Sequence, residues 1–394
     1  MSKRTRAIVA GAGGRGRWAA RSVLNNESYE LVALLERDPD RLEHRKKELG
    51  LPDLPGYTAI EQCIEAETFD AALVAVGDSH HAEVTVPLLE AGKYVFVEKP
   101  LETTAEKCRA IVAADERAGG KTFVGFNLRF APVYMKIREL IEAGALGRIL
   151  TIQADEFYNG GRTYFRRWNR LREHSGGLWI TKACHDFDIL WWMAGKPPVA
   201  VSAVAGLDYY VPRDDAPLHC NECDRKDSCP DSHYVILAAK SKRQGKALPE
   251  QPPLTGQPLC LYNSDKDTFD HGIATVEFEN GVFATYTCNV VTGFSDRRIR
   301  VSGTKATVDG SLHEQRLILH KRDPSATEEI TLASGEGGHG GGDKTILESF
   351  HEFAQGRAEP KVRPAQAIVP VLMGLAATRA SDEKRRVALA ELGL

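Results

Sequence analysis

Three groups of residues in this chain are spaced as chemistry requires. Gly11-Ala12-Gly13-Gly14-Arg15-Gly16 lies near the N-terminus, Glu98-Lys99-Pro100 follows the apolar run Tyr94-Val95-Phe96-Val97, and Lys182 stands three residues before His185. The glycines suit a diphosphate. Gly11 permits a tight turn, Gly13 lets the backbone approach the phosphates, and Gly16 lets the next helix pack on the preceding strand. Gly14 and Arg15 complete that loop, and the diphosphate then rests on amide N–H groups at a positive helix end. The lysines and the histidine suit proton transfer, since a positioned base contributes about 10²–10⁴-fold when a hydroxyl proton must leave. Histidine needs little tuning near neutral pH. Lys99 must be buried to act as a base; left charged, it orients a hydroxyl and stabilises oxyanion character. The base stays open among Lys99, Lys182 and His185. A diphosphate cradle plus an amine at a strand end is the pattern of hydride transfer to or from a nicotinamide dinucleotide.

Glu36 lies twenty residues beyond Gly16, at the end of the apolar run from Glu30 to Leu35. A carboxylate there binds both ribose hydroxyls of NAD and repels a 2′-phosphate. Its neighbour Arg37 is able to pair with such a phosphate, so NADP stays open as the alternative to NAD. Glu98 and Lys99 complete the expected cofactor-binding set.

The elements that must position these groups alternate. Strands are predicted over 6–10, 30–35, 69–76, 94–97 and 121–126, with helices over 18–24, from Ser79 onward and over 105–119. That order implies a parallel sheet covered on both faces. The segment from Gly176 to Met193 reads as one helix, which puts Lys182, His185, Asp186 and Ile189 on one face. Between them, residues 158–174 are rich in Arg, Gly and aromatic residues, and Arg166 and Trp168 are the expected contacts to a sugar. Strands over 273–279 and 282–289 flank Asn280-Gly281, read as a type I′ turn. Further strands are expected over 299–304 and 316–320. The glycine-rich run 337–343 reads as a mobile lid, with His339 touching substrate.

Cys220-x2-Cys223-x5-Cys229, joined by Cys260, has thiolate density suited to a structural Zn²⁺; reduced thiols and a disulfide are the competing readings. Eight cysteines in 394 residues do not make a disulfide framework. The length allows two domains, and 42% hydrophobic with 27% charged residues is ordinary for a globular protein. A net charge of −3 argues against nucleic acid as a partner. No apolar run reaches the roughly 18 residues of a membrane helix. The first apolar stretch ends at Gly11, too soon for a signal-peptide core, so a cytoplasmic protein is expected.

The glycine motif, Glu98-Lys99-Pro100, the segment Asn127-x-Arg129-Phe130-x-Pro132 and the run Gly176-Gly177…His185…Asp188 occur in an order that resembles the Gfo/Idh/MocA oxidoreductases. The resemblance covers nearly the whole chain. It implies an α/β architecture: a Rossmann domain over 1–128, then an α/β domain over 129–394 on a large open, mostly antiparallel sheet. A Cys-rich insert is expected at about 214–235 and a flexible loop over 240–258. The resemblance also implies a tightly held nicotinamide cofactor and a sugar, glycoside or cyclitol substrate. It gives proton-handling roles to Lys99 and His185, and Asn127 and Asp186 are further expected substrate contacts. One departure stands out: many members carry an acidic residue four positions before the histidine, and here that position is Thr181, followed by Lys182. The open sheet needs a cover, and a homodimer or homotetramer supplies it. Some relatives oxidise a sugar transiently on bound NAD⁺ and so cleave a glycoside, which is the alternative activity. A non-catalytic NAD-binding sensor is the third.

Overall fold

The structure is a computed structural model that describes residues 3–243, 245, 258–333 and 338–394, without the side chain of His339. Its first sheet is parallel throughout: β1 (Thr5–Ala10), β2 (Tyr29–Leu35), β3 (Gly56–Tyr57), β4 (Ala71–Val74), β5 (Tyr94–Val97) and β6 (Thr122–Val124) lie in the order β3-β2-β1-β4-β5-β6. β1 and β4 are buried along almost their whole length, as strands covered on both faces must be. The order reverses between β1 and β4. Ligands of such sheets bind at the carboxyl ends of the strands beside that reversal. Gly11, Glu36, Asp78, Lys99 and Asn127 all lie just beyond those ends.

The second sheet holds β7 (Ile149–Phe157), β8 (Pro198–Gly206), β9 (His271–Phe278), β10 (Phe283–Asn289), β11 (Asp296–Gly303), β12 (Ala306–Ser311), β13 (Arg316–Lys321), β14 (Ala326–Thr331) and β15 (Val387–Ala388). Its order is β14-β13-β12-β11-β7-β10-β9-β8-β15, antiparallel except where β7 meets β10. Burial alternates along β9 and β10, so one face meets the core and the other faces outward. This is the expected pairing of a Rossmann sheet with a large, mostly antiparallel one.

Two C-terminal helices tie the halves together. Helix Gly342–Ala354 lays Ile346, Leu347, Phe350 and Phe353 against Ala7, Val9, Phe96 and Phe123 of the first sheet. The rings of Phe96, Phe123, Phe130, Phe350 and Phe353 pack with neighbouring centroids 5.6–6.4 Å apart. Helix Pro364–Glu383 puts Ala367 and Val371 into the core of the first half and Leu372, Met373 and Ala376 into the core of the second. Among the described residues, no helix is long and apolar enough to cross a membrane.

The structure departs from the sequence reading at four places. The single helix expected from Gly176 to Met193 is two helices, Leu178–Thr181 and Cys184–Ala194. The amide of Ala183 reaches back five residues to the Leu178 carbonyl, so the helical phase breaks at Lys182 and Lys182 leaves the face that His185 occupies. Asn280-Gly281 is not a type I′ turn. Only Gly281 has positive φ, at 77°, and its amide donates to the Phe278 carbonyl, which is a type I turn closed by a left-handed glycine. Residues 240–243 finish the helix His233–Arg243, and most of the expected loop 240–258 lies outside the described residues. Gly337 of the expected lid also lies outside them. The rest of that run enters helix Gly342–Ala354 directly, and a Cβ on Gly342 would sit 2.2 Å from the Asn127 carbonyl oxygen, so the segment is clamped in place.

Gly374 brings the long helix against the short one that precedes the break. A Cβ there would lie 2.5 Å from the Trp179 carbonyl oxygen. Gly374→Val gains about 0.3 kcal/mol of helix propensity and loses roughly 1–3 kcal/mol to overpacking. Urea denaturation is expected to show net destabilisation; an unchanged midpoint would contradict this packing.

Candidate dinucleotide and substrate cleft

The loop after β1 is shaped by its glycines. Gly11 has φ +100°, and a Cβ there would meet the Ala75 carbonyl oxygen at 2.4 Å; a Cβ on Gly16 would fall 1.7 Å from the Gly11 carbonyl oxygen. Gly13 has open space beside it. Helix Gly14–Leu24 begins without a side-chain cap and without an acidic residue in its first turn. Its leading amides and dipole therefore face outward, as a diphosphate requires, and the loop fits a dinucleotide.

Glu36 is buried, and its Oε2 accepts the Ala12 amide at 2.8 Å, which brings the carboxylate against the glycine loop. Arg41 lies 3.6 Å from its other oxygen. Arg37 points elsewhere: its guanidinium is 3.4 Å from His80 Nε2. Arg15 lies over the Trp18 ring at 3.8 Å. It donates to Glu98 at 2.9 Å and to Asp343 at 3.3 Å, and Asn127 Nδ2 donates to Asp343 Oδ1 at 2.8 Å. The glycine loop, the Glu98 strand end, the Asn127 turn and the C-terminal helix therefore meet at one group of charges.

Lys99 crosses from one half to the other. Its Nζ donates to the Thr181 carbonyl at 2.9 Å, at the end of helix Leu178–Thr181. It is also within electrostatic reach of Cys184, the residue before His185. His185 is buried, with its ring edge-on to Phe126 at 6.3 Å between centroids. The structure thus brings the Lys99 amine to the helix break that leads into His185.

Lys182 and Asp186 share a second, buried cluster. Lys182 Nζ lies 2.8 Å from Glu156 Oε1 and 4.2 Å from the centre of the Tyr158 ring. Arg297 pairs with both Glu156 and Asp186, at 3.1 Å to the latter, and the Tyr286 hydroxyl donates to Asp186 at 3.0 Å. Burial pulls the Lys182 amine below its ordinary value against the pull of Glu156. Burial pushes Asp186 up to about 6 despite Arg297. Burial also works against the Arg297 charge, but Asp186 and Glu156 more than reverse it and leave its pKa raised. Asp186, expected to touch substrate, instead spends both carboxylate oxygens on Arg297 and Tyr286. Sequence reasoning missed Glu156 and Arg297. Glu156 falls in the inward phase of β7 with Ile152 and Ala154, and a charge in that phase was the available signal.

Below the helix Cys184–Ala194, Arg129 and Asp188 form a buried bidentate pair at 2.7 and 2.8 Å. Arg166 is not in the cleft environment expected for it. It donates to the carbonyls of Leu259 and Asp231, at 3.0 and 2.7 Å, and lies 3.9 Å from Cys220 Sγ. It therefore braces the cysteine segment. Trp168 is 38% exposed on a short turn. His339 opens the turn before Gly342, and its side chain lies outside the described residues.

Cys220, Cys223, Cys229 and Cys260 line one cavity of about 30 Å³ with Asp231 and Tyr262. Yet among the described residues no three His, Cys, Asp or Glu side chains are grouped closely enough to hold a metal ion, so the expected Zn²⁺ set is not assembled. Cys220 instead donates to the Leu259 carbonyl at 3.7 Å, and all eight cysteines are free thiols.

Comparison with known proteins gives the family and the fold. Residues 5–126 match the family model described as the NAD-binding Rossmann fold of an oxidoreductase family, and residues 138–389 match that family's C-terminal alpha/beta domain. YteT of Bacillus subtilis, whose oxidoreductase name is itself provisional, is 28% identical over 82% of this chain and 82% of its own length. The inositol 2-dehydrogenase of Rhizobium meliloti is 31% identical over 50% of this chain and 58% of its own, so the match spans little more than half of that relative. Among solved structures, myo-inositol 2-dehydrogenase of Lactobacillus plantarum superposes with TM-score 0.71 at 20% identity, over 98% of this chain and 99% of that one. The WlbA dehydrogenase of Bordetella pertussis, solved with NADH and UDP-GlcNAcA, does so with TM-score 0.71 at 18% identity, over 98% and 99%; at such identities the likeness is one of fold. With both of its halves matched, the chain belongs to the Gfo/Idh/MocA family of oxidoreductases.

Proposed function

We propose that this protein is an NAD-dependent dehydrogenase that oxidises a secondary hydroxyl of a sugar, glycoside or cyclitol, or reduces the matching ketone. One observation carries the reading. An amine from the dinucleotide half, Lys99, reaches the backbone of the other half at the residue that ends the helix before His185. The relatives named inositol 2-dehydrogenase supply the substrate class. When bound, the nicotinamide supplies the hydride acceptor. The remaining work falls to the chain. Amides of the glycine loop hold the diphosphate, and Glu36 accepts from the ribose hydroxyls. Lys99 donates to the reacting hydroxyl and orients it. His185, buried beside Phe126, takes the hydroxyl proton. Trp168 offers an exposed ring to a sugar face.

The test is a panel of myo-inositol, scyllo-inositol and common sugars with NAD⁺ and NADP⁺, followed at the NADH absorbance band. Net NADH should accumulate with at least one member. Release of a glycoside aglycone without NADH would give the transient-oxidation reading instead, and no turnover of any member would leave the sensor. On the responding substrate, Lys99→Met and His185→Ala should each lower kcat about 10²-fold or more, with dinucleotide affinity by fluorescence little changed. Variants that turn over as fast as the parent would remove both from the mechanism. Because a buried carboxylate beside the glycine loop would repel a 2′-phosphate, kcat/KM should favour NAD⁺ over NADP⁺ by at least about tenfold. A preference for NADP⁺ would assign the site to Arg37 and Arg41.

We also infer a homo-oligomer. Val204 and Ile273 are register partners on β8 and β9, 70% and 49% exposed, and Phe283 on β10 is 59% exposed. They put exposed apolar side chains at two places on the outward face of the second sheet. Light scattering should give at least twice the 43.3 kDa chain mass; a monomer at micromolar concentration would refute this.

A further inference from the structure

Ala12, inside the glycine loop, is gripped from both sides. Its amide donates to Glu36 Oε2 at 2.8 Å, and its carbonyl accepts twice from Arg45, from Nε at 3.0 Å and from Nη2 at 2.7 Å. Arg45 lies 33 residues further along, on helix Pro39–Glu48. It stands one helical turn after Leu42, which is buried in the core that holds Val9 and Leu34. The face that docks this helix therefore also carries the guanidinium to the loop.

The guanidinium is held there against opposition. Burial and the like charges of Arg17, Arg21 and Arg41 lower the Arg45 pKa, yet an arginine in a protein stays protonated. Glu48 supplies part of the balance. It pairs with Arg45, with Arg17 at 2.6 Å and with Arg21 at 3.1 Å, and the last two lie on helix Gly14–Leu24, which the loop opens. With Arg17, Arg21, Arg41 and Arg45 set against Glu36 and Glu48, the surroundings of the loop carry net positive charge.

The planarity of the peptide turns this grip into an orientation. The bond between Ala12 and Gly13 is trans, so the Gly13 N–H points opposite to the Ala12 carbonyl and hence away from Arg45. That amide makes no hydrogen bond among the described residues, and nothing lies within 4 Å of where a Gly13 Cβ would sit. A cation on the carbonyl also polarises the peptide and strengthens its N–H as a donor.

We propose that Arg45 is a positioning residue for the dinucleotide: through the Ala12 carbonyl it aims the Gly13 amide at the diphosphate and sharpens it as a donor. Removing the guanidinium should then weaken ligands that carry a diphosphate and spare those that carry none. The proposal rests on the dinucleotide part of the function proposed above and not on the sugar.

The test is calorimetric titration of the parent, Arg45→Met and Arg45→Lys with NAD⁺, ADP and adenosine. Methionine keeps much of the apolar stem and removes both donors. In Arg45→Met the Kd of NAD⁺ and of ADP should rise about tenfold, in the range of one hydrogen bond to a charged group, while that of adenosine stays within about twofold. Arg45→Lys keeps the charge and a donor and should give a rise of about threefold. A role confined to holding the helix would lower the melting temperature and the fraction of protein competent to bind, and would leave each Kd as it was. An unchanged Kd for ADP, or equal weakening of ADP and adenosine, would overturn the proposal; if Arg45→Met does not fold, Arg45→Lys decides by the same comparison. A parent that binds NAD⁺ while the variants bind it equally well keeps the dinucleotide reading and removes the proposal. If the ADP effect appears and the sugar panel gives nothing, the proposal stands and the dehydrogenase reading fails. A parent that binds neither NAD⁺ nor ADP removes both.

Discussion

A charge taken out of water must be met by another, and this constraint organises the protein around its cleft. Arg129 is met by both oxygens of Asp188, Lys182 by Glu156, Arg297 by Glu156 and Asp186, and Arg15 by Glu98 and Asp343. Each pair joins segments far apart in the chain. Removing one partner of such a pair costs about 3–5 kcal/mol, because the other stays buried and unpaired. The pairs therefore act as registry devices. Helix Cys184–Ala194 is anchored to the Asn127 turn by one and to the second sheet by another, which fixes the helix that carries His185.

The second constraint is close backbone approach. Gly11 and Gly16 let the first loop fold onto itself and onto β4, Gly342 lets the C-terminal helix start against the Asn127 turn, and Gly374 lets the long helix touch the Trp179 backbone. Each contact is one that a single methyl group would block. Together they fix how the glycine loop, the Asn127 turn and the two C-terminal helices lie against one another, and the aromatic cluster of five phenylalanines packs beside them.

Much of this was legible in the sequence, and the boundary between legible and hidden has a physical cause. The parallel sheet announced itself through continuous apolar strands that end in glycine or in Glu98-Lys99. The strands flanking Asn280-Gly281 were legible too, while the open sheet they join was an implication of the family resemblance. The strand signals are local ones, of period and punctuation. The break at Lys182 was hidden because helical periodicity continues through it; what interrupts the helix is the amide of Ala183 reaching back to Leu178, while Glu156 draws the lysine away from a distance of 26 residues. Arg166 misled for the same reason. An arginine beside aromatics suits a sugar site, but its acceptors are carbonyls more than 60 residues away. The cysteines were legible as a group, yet spacing carries no distance between sulfurs, and the fold separates them around a small cavity.

The pairing of buried charge also bears on what the cleft selects. A site for an anionic sugar needs a cation whose charge is not already spent, ideally a guanidinium with both donors free. Around Lys99 and His185, the buried guanidiniums of Arg129 and Arg297 are committed to carboxylates, and Lys182 is held by Glu156 at 2.8 Å. What remains at the helix break is the Lys99 amine on a backbone carbonyl, a donor that suits a neutral hydroxyl. The same arithmetic sets the cost of using Lys182 as a base: a neutral amine there would leave the buried Glu156 carboxylate to Arg297 alone.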